Sequence, residues 1–388
     1  MTSQKKPIPK IDYGIILSLM LLAIVSFITL YSAQSTDQYK TNFVASQAQW
    51  YVISSLAIIF IIQFDSDQMK KISKYAYGFG VLMLLILLFA PVTDFTPIRN
   101  GAKLWFVIPK VGQIQPSEFM KIATIMMLAQ ITSTHHQKVL HKTIKSDFFL
   151  LLKISVIFGL PFILIILEDL GTALVFIAIF LGIVLISGIT WKLLLPIFTF
   201  VTMIAGTTMY LAIWQRPFLE KFGVDPYQFM RIDSWLDPYT YRTGAGMQLV
   251  NSLLAIGSGQ TNGKGFRNRD VYMPESHTDF IFSTIGEEFG FVGGSIVISL
   301  FFLLIYQITR TALETKNPFY TYICVGVIAM LTFQVFQNIG MTIQVLPITG
   351  IPLPFISYGG SSLLSTMMAM GIILSIKFHY KKYMFSSE

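Results

Sequence analysis

The chain has 388 residues, of which 54% are hydrophobic and 12% charged, and its mean hydropathy is +0.64. Soluble domains carry roughly a quarter charged residues, so this composition excludes a soluble globular protein and leaves an integral membrane protein. The net charge of +8 has to be divided between topology and function, and no nucleic-acid partner is expected from it.

Crossing roughly 30 Å of hydrocarbon takes about 20 residues of helix. Stretches of that kind predict ten spans, near 13–33, 47–64, 75–92, 116–134, 148–167, 170–190, 193–214, 279–309, 318–341 and 357–377. An even number puts both termini on one side. Lys5, Lys6, Lys10, Lys70, Lys71, Lys74, Lys138, Lys142, Lys145, Lys377, Lys381 and Lys382 all fall on the N-terminal face, which the positive-inside rule makes cytoplasmic. Anionic lipid accounts for what topology leaves of their charge. The expected fold is an all-α polytopic membrane protein, a single integral domain over 1–388, with ten transmembrane helices and a large extracytoplasmic loop at 215–278, between the seventh and eighth.

The first span is long for a signal peptide and is followed by no small-residue cleavage site, so it reads as a retained helix. In the fourth span Pro116 and Ser117 open a helix that sets Glu118 and Lys121 on one face. They form a local ion pair, or Lys121 points into a cavity toward an acidic partner, for which Glu287 and Glu288 are candidates. His135, His136 and His141 belong to a solvated loop, and Lys153 snorkels to the cytoplasmic interface. Glu168 and Asp169 stand between the fifth and sixth spans.

Arg216, Lys221, Arg231, Arg242, Lys264, Arg267 and Arg269 lie in the long outer loop, where topology does not explain them. Connections of that length are usually functional. Within it, "YQFMRIDSWLDP" and "GAGMQLVNSLLAIGSG" have the spacing of amphipathic helices lying in the interface. A Gly-rich polar tract then leads into the eighth span. Asp279 stands at the membrane edge, as a helix cap or as a base facing an anionic substrate. Glu287 and Glu288 lie roughly 12–14 Å further along a helix, so at least one is buried with a cation or protonated. With Glu118, Lys121 and Asp169 they are assigned to a structural charge network.

Cys324 is alone in the chain, so no disulfide forms within it, and no Cys/His spacing marks a structural metal. No cofactor is required by the residues; a divalent cation, Mg or Mn, is left open. "VLPITGIPLPFISYGGSS" (345–362) must break the last apolar stretch in two, because Pro347, Pro352 and Pro354 stop helices. It forms either the outer mouth of a cavity or a tight surface loop.

"GAKLWFVIPKVGQIQPSEFMK" (101–121), "EDLGTALV" (168–175), "GSGQTNGKGF" (257–266), "PESHTDFIFSTIGEEFGFVGG" (274–294) and "PLPFISYGGSS" (352–362) resemble the signatures of the SEDS proteins (shape, elongation, division, sporulation), in order and spacing, over essentially the whole chain. The "GSGQTNGKG" tract, the form of the fourth signature and the short N-terminus lean toward the family's elongation branch. The resemblance implies a peptidoglycan glycosyltransferase that polymerises lipid II at the outer face of the bacterial cytoplasmic membrane. It also implies a class B penicillin-binding protein as transpeptidase partner, among other membrane proteins of the elongation machinery. By the same resemblance Asp279 is the catalytic carboxylate and Trp105 a position linked to activity. Lys264, Arg267 and Arg269 are then candidates to hold pyrophosphate, with His277 and Ser357 completing the substrate-binding set. A lipid II flippase and a non-catalytic scaffold are the rival readings.

Overall fold

The computed structural model describes residues 11–34, 42–98, 101–109, 112–139, 141–221, 226–244 and 246–379. Lys5, Lys6, Lys10, Lys381 and Lys382, which bear on the topology, fall outside them.

Ten helices overlap the apolar stretches: α1 (Tyr13–Gln34), α2 (Phe43–Ile61), α3 (Ser66–Phe89), α4 (Pro116–Lys138), α5 (Ile144–Ile166), α6 (Leu170–Ile186), α7 (Trp191–Trp214), and, after three shorter ones, α11 (Ile281–Glu314), α12 (Pro318–Thr342) and α13 (Gly360–Phe378). The shorter three, α8 (Arg216–Glu220), α9 (Pro226–Leu236) and α10 (Met247–Gly259), occupy the long loop. Eight helices are long and apolar enough to cross a membrane; α6 is apolar but short, and α4 is not among the eight. The sequence reading contained no strand, yet β1 (Phe106–Ile108) pairs antiparallel with β2 (Gly112–Ile114).

Local chemistry sets the helix starts. Asp65 and Gln68 form a reciprocal capping box at α3. Thr143 caps α5 by accepting from Ser146 N, and Asn317 caps α12 ahead of Pro318. Helices α12 and α13 form the centre, with 61% and 72% of their apolar windows buried, against 6% for α7. α12 packs on α4, α6 and α11, α13 packs on α2, and α7 contacts chiefly α8 and α9. One contiguous core joins residues of α1, α3, α4, α5, α6, α7, α11, α12 and α13.

At one end of the bundle Lys377 pairs with Asp12 and lies 3.7 Å from Glu314. The start of α1 and the ends of α11 and α13 therefore share a face.

Helix α11 is broken. Gly290 has φ 60° and ψ −157°, so Phe291 N and Val292 N cannot reach the carbonyls of Glu287 and Glu288 as in an uninterrupted helix. The 260–265 loop supplies the missing partners. Lys264 N and Gly265 N donate to Glu287 O and Glu288 O at 3.0 Å each, while Phe291 N and Val292 N donate to Gln260 O and Thr261 O at 2.9 and 3.1 Å. Non-helical backbone at membrane depth must be satisfied by protein, and four hydrogen bonds do so here. Only glycine fits the contact: a Cβ on Gly263 would lie 2.1 Å from Glu288 O, and one on Gly290 2.4 Å from Gly263 N. The Gly-rich tract is thus a plug for the helix break.

Helix α10 of the long loop packs against protein on one side. Ser252 of α10 hydrogen-bonds Ser283 at 2.6 Å and donates to Thr342 O at 2.7 Å, which holds α10 against α11 and the end of α12. The Pro/Gly piece between α12 and α13 is not a surface loop: Ile351, Leu353, Phe355, Ile356 and Ser357 are all buried.

Candidate functional site

The 274–280 turn is held from both sides. Glu275 adopts φ +55°, an uncommon conformation for a side chain other than glycine's and one that recurs at functional sites. Its carbonyl accepts from Thr278 N at 3.1 Å and Phe280 N at 3.2 Å. From the opposite side Ser357 Oγ donates to Thr278 O at 2.7 Å and accepts from Leu353 N at 2.8 Å. Tyr358 N donates to His277 O at 2.8 Å, and Asn338 Nδ2 bridges Asp279 O and Ile351 O at 2.8 Å each. The Pro/Gly piece is therefore the frame of the acidic turn.

Asp279 ends this turn with its carboxylate half-buried. The α11 N-cap is Phe280, with no side-chain cap, so the reading of Asp279 as a helix cap falls. Among the described residues no hydrogen bond engages its carboxylate. Gly350 packs beside it, close enough that a Cβ there would lie 3.4 Å from Oδ2. Desolvation, reinforced by the charge of Glu275 and opposed by that of Arg231, pushes Asp279 up from 3.8 to about 7, with Asp169 adding to the rise. An acid so poised exchanges a proton near neutrality, as a general base must.

Asp169 faces this acid from α6. It accepts from Thr172 N at 2.9 Å, from Thr172 Oγ1 at 2.6 Å and from Gln115 Nε2 at 3.1 Å. Gly171 behind it leaves room for the 349–351 backbone, since a Cβ there would meet Thr349 O at 2.7 Å. Four of the five signatures named from the sequence, the first, second, fourth and fifth, thus converge on Asp279.

The third packs elsewhere, around Glu287 and Glu288. Lys264 Nζ contacts Glu287 Oε1 at 2.8 Å and Asp270 Oδ2 at 2.9 Å. Arg269 Nε lies 3.2 Å from Glu288 Oε1, and its Nη2 donates to Ser32 O at 2.9 Å. Glu288 also accepts from Ser32 Oγ. A buried carboxylate left without its cation is costly, so both cations are committed to Glu287 and Glu288, six and seven residues into α11, roughly 9–10 Å past its start. In this structure they brace the plug. Arg267, at φ +65°, is exposed and lies over the Tyr31 ring at 5.7 Å.

Ser357 is likewise a positioning residue, because its one donor is directed to the turn backbone. His277 stacks on Phe43 at 4.2 Å between centroids, and desolvation holds it below its usual range. Trp105 is half-buried just before β1, and among the described residues no hydrogen bond or ring contact joins it to Asp279.

The charge network also divides. Lys121 and Glu118 pair at 2.8 Å, both buried, and Glu118 accepts from Ser365 at 3.0 Å. This pair ties α4 to α13 and is separate from the Glu287–Glu288 group, so the local ion pair was the right alternative for Lys121. Among the described residues no group of three or more His, Cys, Asp or Glu side chains stands ready to hold a metal ion. Arg231, noted only among the unexplained outer-loop cations, is the one whose charge reaches Asp279; no spacing rule marked it.

Residues 12–382 match the family model described as cell cycle protein, covering FtsW, RodA and SpoVE. The chain is 31% identical over 380 residues to stage V sporulation protein E of Bacillus subtilis (strain 168), covering 96% of this chain and 98% of that protein. It is 30% identical to the peptidoglycan glycosyltransferase MrdB of Escherichia coli (strain K12), covering 96% and 94%. Among solved structures, one described as "Structural coordination of polymerization and crosslinking by a peptidoglycan synthase complex" superposes with a TM-score of 0.76 at 25% identity, covering 95% of this chain and 97% of that one.

Proposed function

The chain belongs to the FtsW/RodA/SpoVE family, the SEDS proteins, and from that membership we propose that it is a peptidoglycan glycosyltransferase joining lipid II units into glycan strands. The observation that carries the reading is Asp279: a half-buried residue whose carboxylate is engaged by no hydrogen bond among the described residues and is raised by desolvation to about 7, where four family signatures meet.

The chemistry follows from the leaving group. Glycosidases need a second carboxyl group to protonate a departing sugar oxygen, whereas pyrophosphate leaves as a stable anion. One base is then enough. Asp279 takes the proton of the acceptor 4-hydroxyl, the oxygen forms a bond to the donor's anomeric carbon, and the bond from that carbon to pyrophosphate breaks with its electron pair on the departing oxygen.

The positive-inside rule favours cytoplasmic termini, which places the Asp279 mouth at the outer face. The partner we infer is a class B penicillin-binding protein, in keeping with the crosslinking complex that the chain resembles. The Gly-rich tract favours the elongation branch, RodA, over the division branch, and hence a role in rod shape.

The deciding experiment is lipid II polymerisation by the purified chain, with and without a class B penicillin-binding protein. Glycan strands from native protein and none from Asp279→Asn, at equal folded amounts, are the expected result. Strands surviving the substitution remove Asp279 as the base, and lipid movement without strands makes the protein a flippase.

A further inference from the structure

Helices α3 and α5 meet at a hydrogen bond with a local cause. Pro161, inside α5, has no N–H, so Ile157 O loses the donor that a regular helix would give it. A carbonyl at membrane depth has to find its partner within the protein. Tyr77 of α3 supplies it, the hydroxyl donating to Ile157 O at 2.7 Å. Seven residues on from each partner, Leu84 and Leu164 line a single cleft together with Leu87 and Ile165, so the two helices run parallel. His379 Nε2 lies 3.1 Å from Ile62 O, which puts the start of α3 on the Lys377–Asp12 face.

Residues three or four apart share a helix face. One turn before the Tyr77–Ile157 bond, toward the Lys377–Asp12 face, stand Lys74 on α3 and Lys153 on α5, both exposed. They lie roughly 12–14 Å past the starts of their helices at Ser66 and Ile144. Among the described residues neither pairs with a carboxylate or donates a hydrogen bond. Other lysines of this half are provided for: Lys70 pairs with Asp67 at 3.3 Å, and Lys142 lies 3.9 Å from Asp147. A cation within a span is costly without a counter-charge, and snorkelling carries each ammonium toward the headgroup level, where phosphates lie. Two cations thus flank one seam to which the bundle brings no anion.

We propose that Lys74 and Lys153 hold the phosphate of an anionic glycerophospholipid at the seam between α3 and α5, in the leaflet on the Lys377–Asp12 side, which is cytoplasmic in the topology proposed above. The ammonium groups, compact charges on flexible stems, meet the phosphate from both helices. Beyond the Tyr77–Ile157 bond the seam widens into the leucine-lined cleft. Leu84 and Leu164 lie roughly 15–17 Å along from the two lysines, about half of the 30 Å hydrocarbon core. That is the depth an acyl chain of one leaflet fills, so the occupant is a lipid and not a free phosphate. The site lies apart from Asp279 and does not rest on the glycosyltransferase reading.

The test uses the purified full chain in phosphatidylcholine nanodiscs, with phosphatidylglycerol, undecaprenyl monophosphate or inorganic phosphate added, and native mass spectrometry to read what stays bound. Native protein retains a phosphatidylglycerol against the phosphatidylcholine background. The double variant Lys74→Ala, Lys153→Ala weakens that retention by ~10- to 100-fold, as loss of charge-assisted contacts does, and Arg at both positions restores it. Lys192→Ala, which removes another exposed lysine at the start of α7, leaves it unchanged. Native-like retention by the double alanine variant, or equal weakening by Lys192→Ala, overturns the proposal in favour of general surface charge. Tighter retention of undecaprenyl monophosphate overturns it by making the seam a polyprenyl path. Displacement of the lipid by inorganic phosphate overturns it by reducing the seam to a simple anion site. A lowered thermal midpoint of the double alanine variant in phosphatidylcholine alone assigns the lysines a structural role instead.

Discussion

Asp279 carries two predictions that no remote substitution mimics. As a base it works deprotonated, so polymerisation rises with pH through about 7 and levels off above. Glu275→Gln removes a charge that raises the carboxyl and moves this limb to lower pH, whereas Arg231→Ala removes one that lowers it and moves the limb higher. A pH–rate profile of the three proteins checks both signs; coincident profiles dissociate the limb from Asp279. The second prediction concerns stability. The folded protein keeps the Asp279 proton to about 7, while the unfolded chain releases it near 3.8, so folding grows less favourable as pH climbs between those values and stays so above. Asp279→Asn escapes this penalty. Its thermal midpoint should equal the native one near pH 4 and exceed it at pH 8, a trade of stability for activity at a reacting group. At this scale the sequence was uneven. A signature pointed to Asp279 by resemblance, whereas Lys264 and Arg269 were drawn to phosphate by charge alone, since nothing in one dimension reveals that Glu287 and Glu288 reach them first.

At the scale of elements, long apolar periods were readable and backbone breaks were not. Hydrophobic length located α1 to α7 and α11 to α13 because burial and lipid exposure act over whole turns. The α11 interruption at Gly290 left no mark in hydropathy; it becomes intelligible only with the 260–265 plug in place. Gly263→Ala, at φ +79° with Glu288 O in the way of the new methyl, should displace that plug and cost on the order of 3 kcal/mol through strain and lost hydrogen bonds. The measurement is the thermal midpoint in detergent together with the amount of chain accumulated in membranes. A native-like midpoint means the plug tolerates displacement. For α9 and α10 the amphipathic period was legible but the protein side of each helix was not: apolar residues of α9 meet α7 and α8, and α10 packs on α11.

Across the whole molecule the helical membrane fold was legible in the sequence. The ion pairs of Lys377 with Asp12 and Glu314 mark one face, and Asp279 lies before the opposite end of α11 from Glu314. Topology is tested with single cysteines on a Cys324→Ser background, since Cys324 is buried. A membrane-impermeant thiol reagent should label Thr240→Cys on intact cells and Lys316→Cys only after permeabilisation. The reverse pattern inverts the orientation and takes the Asp279 mouth away from the outer face.

The break in α11 also imposes an order on biosynthesis. The segment that closes it, 260–265, is translated before the helix it repairs and must be close at hand when that helix leaves the insertion machinery, or four backbone groups enter hydrocarbon unpaired. A ribosome delivering the chain from its N-terminus meets this requirement without assistance. A circular permutant opened between Gly265 and Ile281 keeps every native contact but delivers α11 first, and is expected to fail at insertion, not at catalysis.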